Sequence, residues 1–252
     1  MVTMAVWGLN ISVVTHLTAQ WQVLPLATLR MILATAIMLL FCHRQLPQLL
    51  RLDRRQWIGL LACGALMVYG NQFLSMSGMA LTAATNTALI VSLTPIVGML
   101  IGAGGRERVH PLGLLGLLVG FGGVAVVVLS REGAAVAGMS RGDLLVLLSV
   151  FAFTGGSFLV RRLGRRLDTV LAATTVHGIG ALMLLAHTLL WVPVDLNVPA
   201  QWSLGTWGML LFSGGVANGV GLLVWVHAVS RLGVAHATSA QYWVPIFGIG
   251  FA

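Results

Sequence analysis

Long apolar runs separated by short polar connections set the pattern of this chain from end to end. About 20 apolar residues carry a helix across a bilayer, where only helices or closed barrels satisfy the backbone's donors and acceptors. The pattern predicts nine such helices, at 2–18, 24–42, 57–76, 83–103, 111–129, 143–160, 169–191, 205–228 and 235–252. None shows the alternation of a barrel strand. The fourth run holds Asn86, Thr87, Ser92 and Thr94 and then Pro95, polar company that a lipid-facing helix avoids. The ninth shares Pro-Ile-x-Gly with it, at Pro95-Ile96-x-Gly98 and Pro245-Ile246-x-Gly248, 150 residues apart. The same spacing relates Trp57 to Trp207, Leu60 to Leu210, Leu61 to Leu211 and Gly64 to Gly214. Tryptophan and proline are scarce here, so their matches read as a duplicated membrane unit.

Composition agrees. Charged residues are 8% and hydrophobic residues 58%, against roughly 25% charged in a soluble domain. A water-soluble fold of this length has too little interior for that much apolar surface, so the lipid bilayer is its solvent. The net charge of +8 comes from arginine alone. Arg44, Arg51, Arg54, Arg55, Arg106, Arg108, Arg161, Arg162, Arg165, Arg166 and Arg231 fall on one side of the nine-span plan, and only Arg131 and Arg141 on the other. The positive-inside rule makes the larger group cytoplasmic and starts the N-terminus inside the cell. The charge therefore reads as orientation rather than as a nucleic-acid surface. Cys42 and Cys63 have no metal or redox spacing and read as packing residues.

Five spans precede a polar linker at 131–142. Because five is odd, the unit 1–130 and the unit 143–252 enter the membrane from opposite sides, the inverted build of many secondary transporters. The counterpart of the 111–129 span is missing, since the chain stops at Phe251-Ala252 inside an apolar run. The expected fold is an all-α polytopic membrane protein of inverted five-helix repeats, with nine of ten helices visible.

Several short motifs resemble the EamA-type transporters of the drug/metabolite transporter superfamily. Trp7-Gly8-Leu9-Asn10 is similar to that family's opening, and Arg30 in LATLRMILA to its second span. Pro95 and Pro245 stand at the family's prolines, Gly105-Arg106-Glu107-Arg108 looks like its turn, Gly113 to Gly123 like its fifth span, and Gly142-Asp143-Leu144-Leu145 like the start of its second unit. The resemblance covers the whole chain. It implies a ten-helix inner-membrane carrier that exports metabolites, often amino acids, or drugs.

Polar residues at membrane depth face other helices or water rather than lipid. Arg30, which costs about 2.5–3.5 kcal/mol at a span centre, either attracts a substrate carboxylate or phosphate, or snorkels or pins a helix carbonyl. His177, at a roughly equivalent depth in the second unit, either carries a proton or is a hydrogen-bonded packing histidine. Trp7 and Asn10 share one helix face. Tyr69, Asn71 and Gln72 cluster in the third span, Asn218 and Trp225 share a face of the eighth, Asn86 begins the fourth, and Gln241 and Tyr242 precede Pro245. Singly each reads as interhelical glue worth ~0.6 kcal/mol; as a set they outline a central substrate cavity. Pro95 and Pro245 each remove a backbone hydrogen bond and are candidate hinges.

All six acids fall in loops or at span ends. With no carboxylate at depth to bind an organic cation or relay protons, the reading favours neutral or anionic metabolites over the alternative of a multidrug efflux carrier. No HExxH, GxSxG or acid pair lies at membrane depth to support an intramembrane enzyme, and a non-transporting scaffold or fragment is the other alternative. A small-molecule substrate is the expected partner, with no cofactor, metal or nucleic acid; the sequence sets no oligomeric state.

Overall fold

The structure, a computed structural model, describes residues 1–104, 111–130, 136, 138–163, 167–195 and 197–250. Helices occupy all nine expected places, and no strand occurs among the described residues. They are α1 (Val2–Thr18), α2 (Val23–Cys42), α3 (Arg54–Met79), α4 (Ala84–Val91 and then Thr94–Gly104), α5 (Pro111–Leu129), α6 (Arg141–Leu163), α7 (Thr169–Trp191), α8 (Leu204–Leu232) and α9 (Val234–Ser239, a 3-10 turn at Ala240–Tyr242, then Trp243–Gly250). The helices α2 to α8 are long and apolar enough to cross a membrane. α1, with 17 residues, sits at the short edge of spanning length, and α9 is described as three short pieces. The Gly105–Arg108 motif, Arg131, Arg165, Arg166 and Phe251-Ala252 lie outside the described residues.

Local chemistry sets the boundaries. Asp53 caps α3 by accepting from Gln56 N–H while the Gln56 side chain accepts from Asp53 N–H, and Asp168 caps α7 through Val170 and Leu171. Gly233 joins α8 to α9 with φ 88°, a conformation that suits glycine. α4 breaks just before Pro95, where no helical N–H has to be given up. α9 breaks at 240–242, the counterpart place before Pro245.

Helix pairing crosses between the two halves of the chain. The main packed pairs include α2–α7, α4–α9, α3–α6 with α1–α8, α3–α7 with α2–α8, and α4–α6 with α1–α9. Exchanging α1 with α6, α2 with α7, α3 with α8 and α4 with α9 returns the same set of pairs. Along α2 and α7, Thr28 meets Thr188 and Leu184 while Thr35 lies beside Gly178, so these counterpart helices run antiparallel. The largest apolar cluster joins Met31, Met38, Leu60, Met67, Leu184, Trp225 and Val229. A second cluster joins Leu17, Trp21, Leu26 and Leu210. On α5, Leu112, Leu115, Leu118, Val119 and Val126 are exposed, the apolar coat that lipid requires.

Candidate functional site

The helices α3 and α8 each contain a π-helical stretch, at Gly64–Gly70 and Phe212–Val220. After the first, Asn71 N–H donates to Leu66 C=O; after the second, Gly221 N–H donates to Val216 C=O. The last residues, the donors and the acceptors differ by 150, and the first residues, Gly64 and Phe212, by 148. The i→i+5 turn widens the helix and leaves backbone carbonyls for other donors, and such turns gather at functional sites. Here the Asn218 side chain donates to Ser213 C=O at 2.7 Å, and Trp7 Nε1–H donates to Ala217 C=O at 2.8 Å.

The same spacing recurs in the contacts. Trp7 reaches Ala217, and Ser157, 150 residues on from Trp7, reaches the Met67 sulfur at 4.0 Å. At Gly214 an added Cβ would stand 2.9 Å from Arg30 C=O; at Gly180 it would stand 3.0 Å from Gly64 C=O. The counterpart of Arg30 is thus Gly180, and His177 lies three residues away from that place.

Around the π-stretch of α8 the structure gathers Trp7, Arg30, Asn218 and Trp225. The Trp7 and Trp225 ring centroids are 5.6 Å apart, Phe153 lies 5.4 Å from Trp225, and Trp225 Nε1–H donates to Ser157 Oγ at 3.2 Å. Arg30 is buried, 4% exposed, and its Nε–H donates to Ser213 Oγ at 2.7 Å. Among the described residues its hydrogen bond is to this hydroxyl and not to a carbonyl. His177 is also buried, with neither ring nitrogen hydrogen-bonded; Asn10 Oδ1 and Gln72 Oε1 are likewise buried without partners. Buried polar atoms normally find partners, so each of these asks for an explanation.

Other candidates are engaged in joints between helices. Asn71 donates to Ser149 C=O at 3.1 Å. The Tyr69 hydroxyl meets His187 Nδ1 at 2.9 Å, beside Phe73. Asn86 donates to Asp143, whose carboxylate also accepts from Thr82 and from Ser140 N–H and Oγ–H. Asp143, expected simply at a span end, is buried there and ties α4 to α6. Tyr242 turns toward α5, donating to Leu117 C=O at 2.8 Å beside a cleft of about 410 Å³ lined by Gly120, Val124, Ser239 and Pro245. Gln241 is half-buried on the same turn. Sequence reasoning passed over Ser157, Ser213, Ser149, Phe153 and His187. The 150-residue spacing from Trp7 was the available signal for Ser157.

Comparison with known proteins places this architecture. The model of the EamA-like transporter family matches residues 1–129 and 140–252. An uncharacterized transporter of Synechocystis sp. is 27% identical over 98% of this chain and 78% of its own. An uncharacterized protein of Pseudomonas aeruginosa is 31% identical over 84% of this chain and 71% of its own. A solved crystal structure shares the fold with a TM-score of 0.80 at 20% identity, covering 99% of this chain and 86% of that one. With two matched stretches that leave only the connection between α5 and α6 outside them, the chain is a multi-pass membrane protein and belongs to the EamA-like transporter family.

Proposed function

We propose that this protein is an inner-membrane secondary carrier that exports small neutral or anionic metabolites by alternating access. The repeat units 1–130 and 143–252 are inverted with respect to each other, the N-terminus is cytoplasmic, and the substrate binds where the units meet. Pro95 and Pro245 serve as hinges at the breaks of α4 and α9. The observation that carries this reading is the repeated cross-packing of the two halves, with counterpart helices α2 and α7 antiparallel. Rocking one such unit against the other opens a shared site to one side of the membrane at a time. Buried polar atoms without partners at Asn10, Gln72 and His177 support a site at that junction, because a solute supplies what the protein withholds.

The test is uptake and efflux of labelled amino acids and other small metabolites in proteoliposomes holding the full-length protein. A saturable flux above that of empty vesicles is expected for at least one solute. If every solute moves at the rate of empty vesicles, the carrier reading is refuted.

A further inference from the structure

Arg30 is the one arginine set within a predicted span rather than at its end or in a connection. Among the described residues no carboxylate side chain pairs with it, and its hydrogen bonding there is the single Nε–H bond to Ser213 Oγ. The guanidinium is thereby fixed by one edge, with the terminal Nη1 and Nη2 groups left over. A buried cation without a partner is costly, whereas a guanidinium held by Nε presents its terminal fork in the geometry that takes a carboxylate.

The register of the neighbouring helices adds a second group. On α1, Trp7 reaches Ala217, while Val13 and Leu17 pack in the cluster holding Leu29, Leu33 and Leu210. α1 and α8 are therefore antiparallel, and Asn10, between those contacts, lies level with Ser213 and Arg30. Its Oδ1 is buried and accepts no hydrogen bond. An unspent donor fork and an unspent acceptor thus stand at one level of the bundle. The second unit has no equivalent of the fork, since glycine occupies the counterpart position, Gly180.

We infer that Arg30 and Asn10 form a single carboxylate-binding subsite. Arg30 takes the carboxylate of a transported solute through Nη1 and Nη2, and Asn10 Oδ1 accepts an N–H or O–H from the same solute. Ser213 is a positioning residue that aims the guanidinium. This deepens the carrier reading and rests on it for the statement that the bound solute crosses the membrane.

The test measures binding and flux separately, using the full-length protein, the twenty L-amino acids, two- to six-carbon hydroxy acids, and the corresponding amides. At least one carboxylate is expected to raise the thermal midpoint of the wild type in detergent while its amide does not. Arg30→Gln is expected to weaken that binding by about tenfold or more. Arg30→Lys, which keeps the charge but loses the fork, is expected to fall between the two. Ser213→Ala provides a milder variant if Arg30→Gln fails to fold, and is expected to weaken carboxylates without creating affinity for amides. Equal binding of acids and amides, no binding of any carboxylate, or an unchanged preference in the Arg30 variants each overturns the subsite. Flux without a carboxylate preference leaves the carrier and removes the subsite. Arg30-dependent binding without flux of any solute leaves the subsite and removes the carrier.

Discussion

The contact between α3 and α7 has no room for one methyl group, and the Gly180→Ala variant measures this directly. A Cβ at Gly180 would meet Val68 Cγ1 at 2.6 Å and Gly64 C=O at 3.0 Å. Val68 is itself buried, 3% exposed, and the carbonyl belongs to backbone, so no free rotamer relieves the overlap. The helices must move apart, and overpacking of this kind costs about 1–3 kcal/mol. For a chain of 150–250 residues each kcal/mol shifts the midpoint by roughly 2–4 °C, so a fall of about 2–12 °C is expected. The control is Gly116→Ala on α5, where nothing lies within 4 Å of the added atom. There alanine restricts the unfolded chain and is expected to leave stability unchanged or raise it by about 0.4–1 kcal/mol. Thermal unfolding of the purified protein in detergent, followed by the loss of its monodisperse peak, reads both. The reasoning is refuted if Gly180→Ala melts with the wild type, or if Gly116→Ala loses as much as Gly180→Ala.

Three further outcomes are expected. Trp7→Phe keeps the ring against Trp225 but removes the donor to Ala217 C=O, lowering stability by about 0.5–1.5 kcal/mol in the same assay; no change would mean that another donor serves that carbonyl. Asp143→Ala strands Thr82, Asn86 and Ser140 together and is expected to lower the midpoint more than Asn86→Ala, which takes one of several donors from the carboxylate; the reverse order would dismiss Asp143 as the hub. A thiol introduced at Gln48 is expected to react with an impermeant maleimide only after intact cells are permeabilised, and one at Met139 without permeabilisation. Cys42 and Cys63 are buried and free, so the background is low, and the opposite labelling pattern would invert the proposed orientation.

The helices were legible because hydrocarbon enforces a simple rule, a long apolar run for each crossing, and all nine predicted places hold helix. The 150-residue spacing of the Trp57–Trp207 and Pro95–Pro245 matches recurs in the ends of the π-helical stretches and in contacts such as Trp7–Ala217 and Met67–Ser157. Side-chain partners were far less legible. Arg30 and Ser213 are 183 residues apart, and nothing in the local pattern of α2 says which polar group of α8 will face it. His177, which depth alone makes roughly equivalent to Arg30, lies three residues from Gly180, the position that the contacts pair with Arg30. Asn86 and Tyr242 read as equals of Asn10 in a list of polar residues. The fold joins one to Asp143 and the other to α5, since a hydrogen-bonding group in a helical span takes the first partner that geometry offers.

The π-helical stretches have a consequence for what the bundle tolerates. Each hydrogen-bonded π-turn encloses one residue more than an α-turn, so the helix beyond it is out of phase by about 100°. In α8 that offset falls between Gly214, which packs on Arg30, and Trp225, which packs on Trp7. Deleting a single residue within 212–220 would let the α pitch return with Gly214 and Trp225 each still on its partner, whereas a deletion between 221 and 224 would swing Trp225 off Trp7 by about 100°. The same slack stands in α3 at 64–70. Each of these two helices can thus give up one residue inside its π-helical stretch, but not one elsewhere along its length.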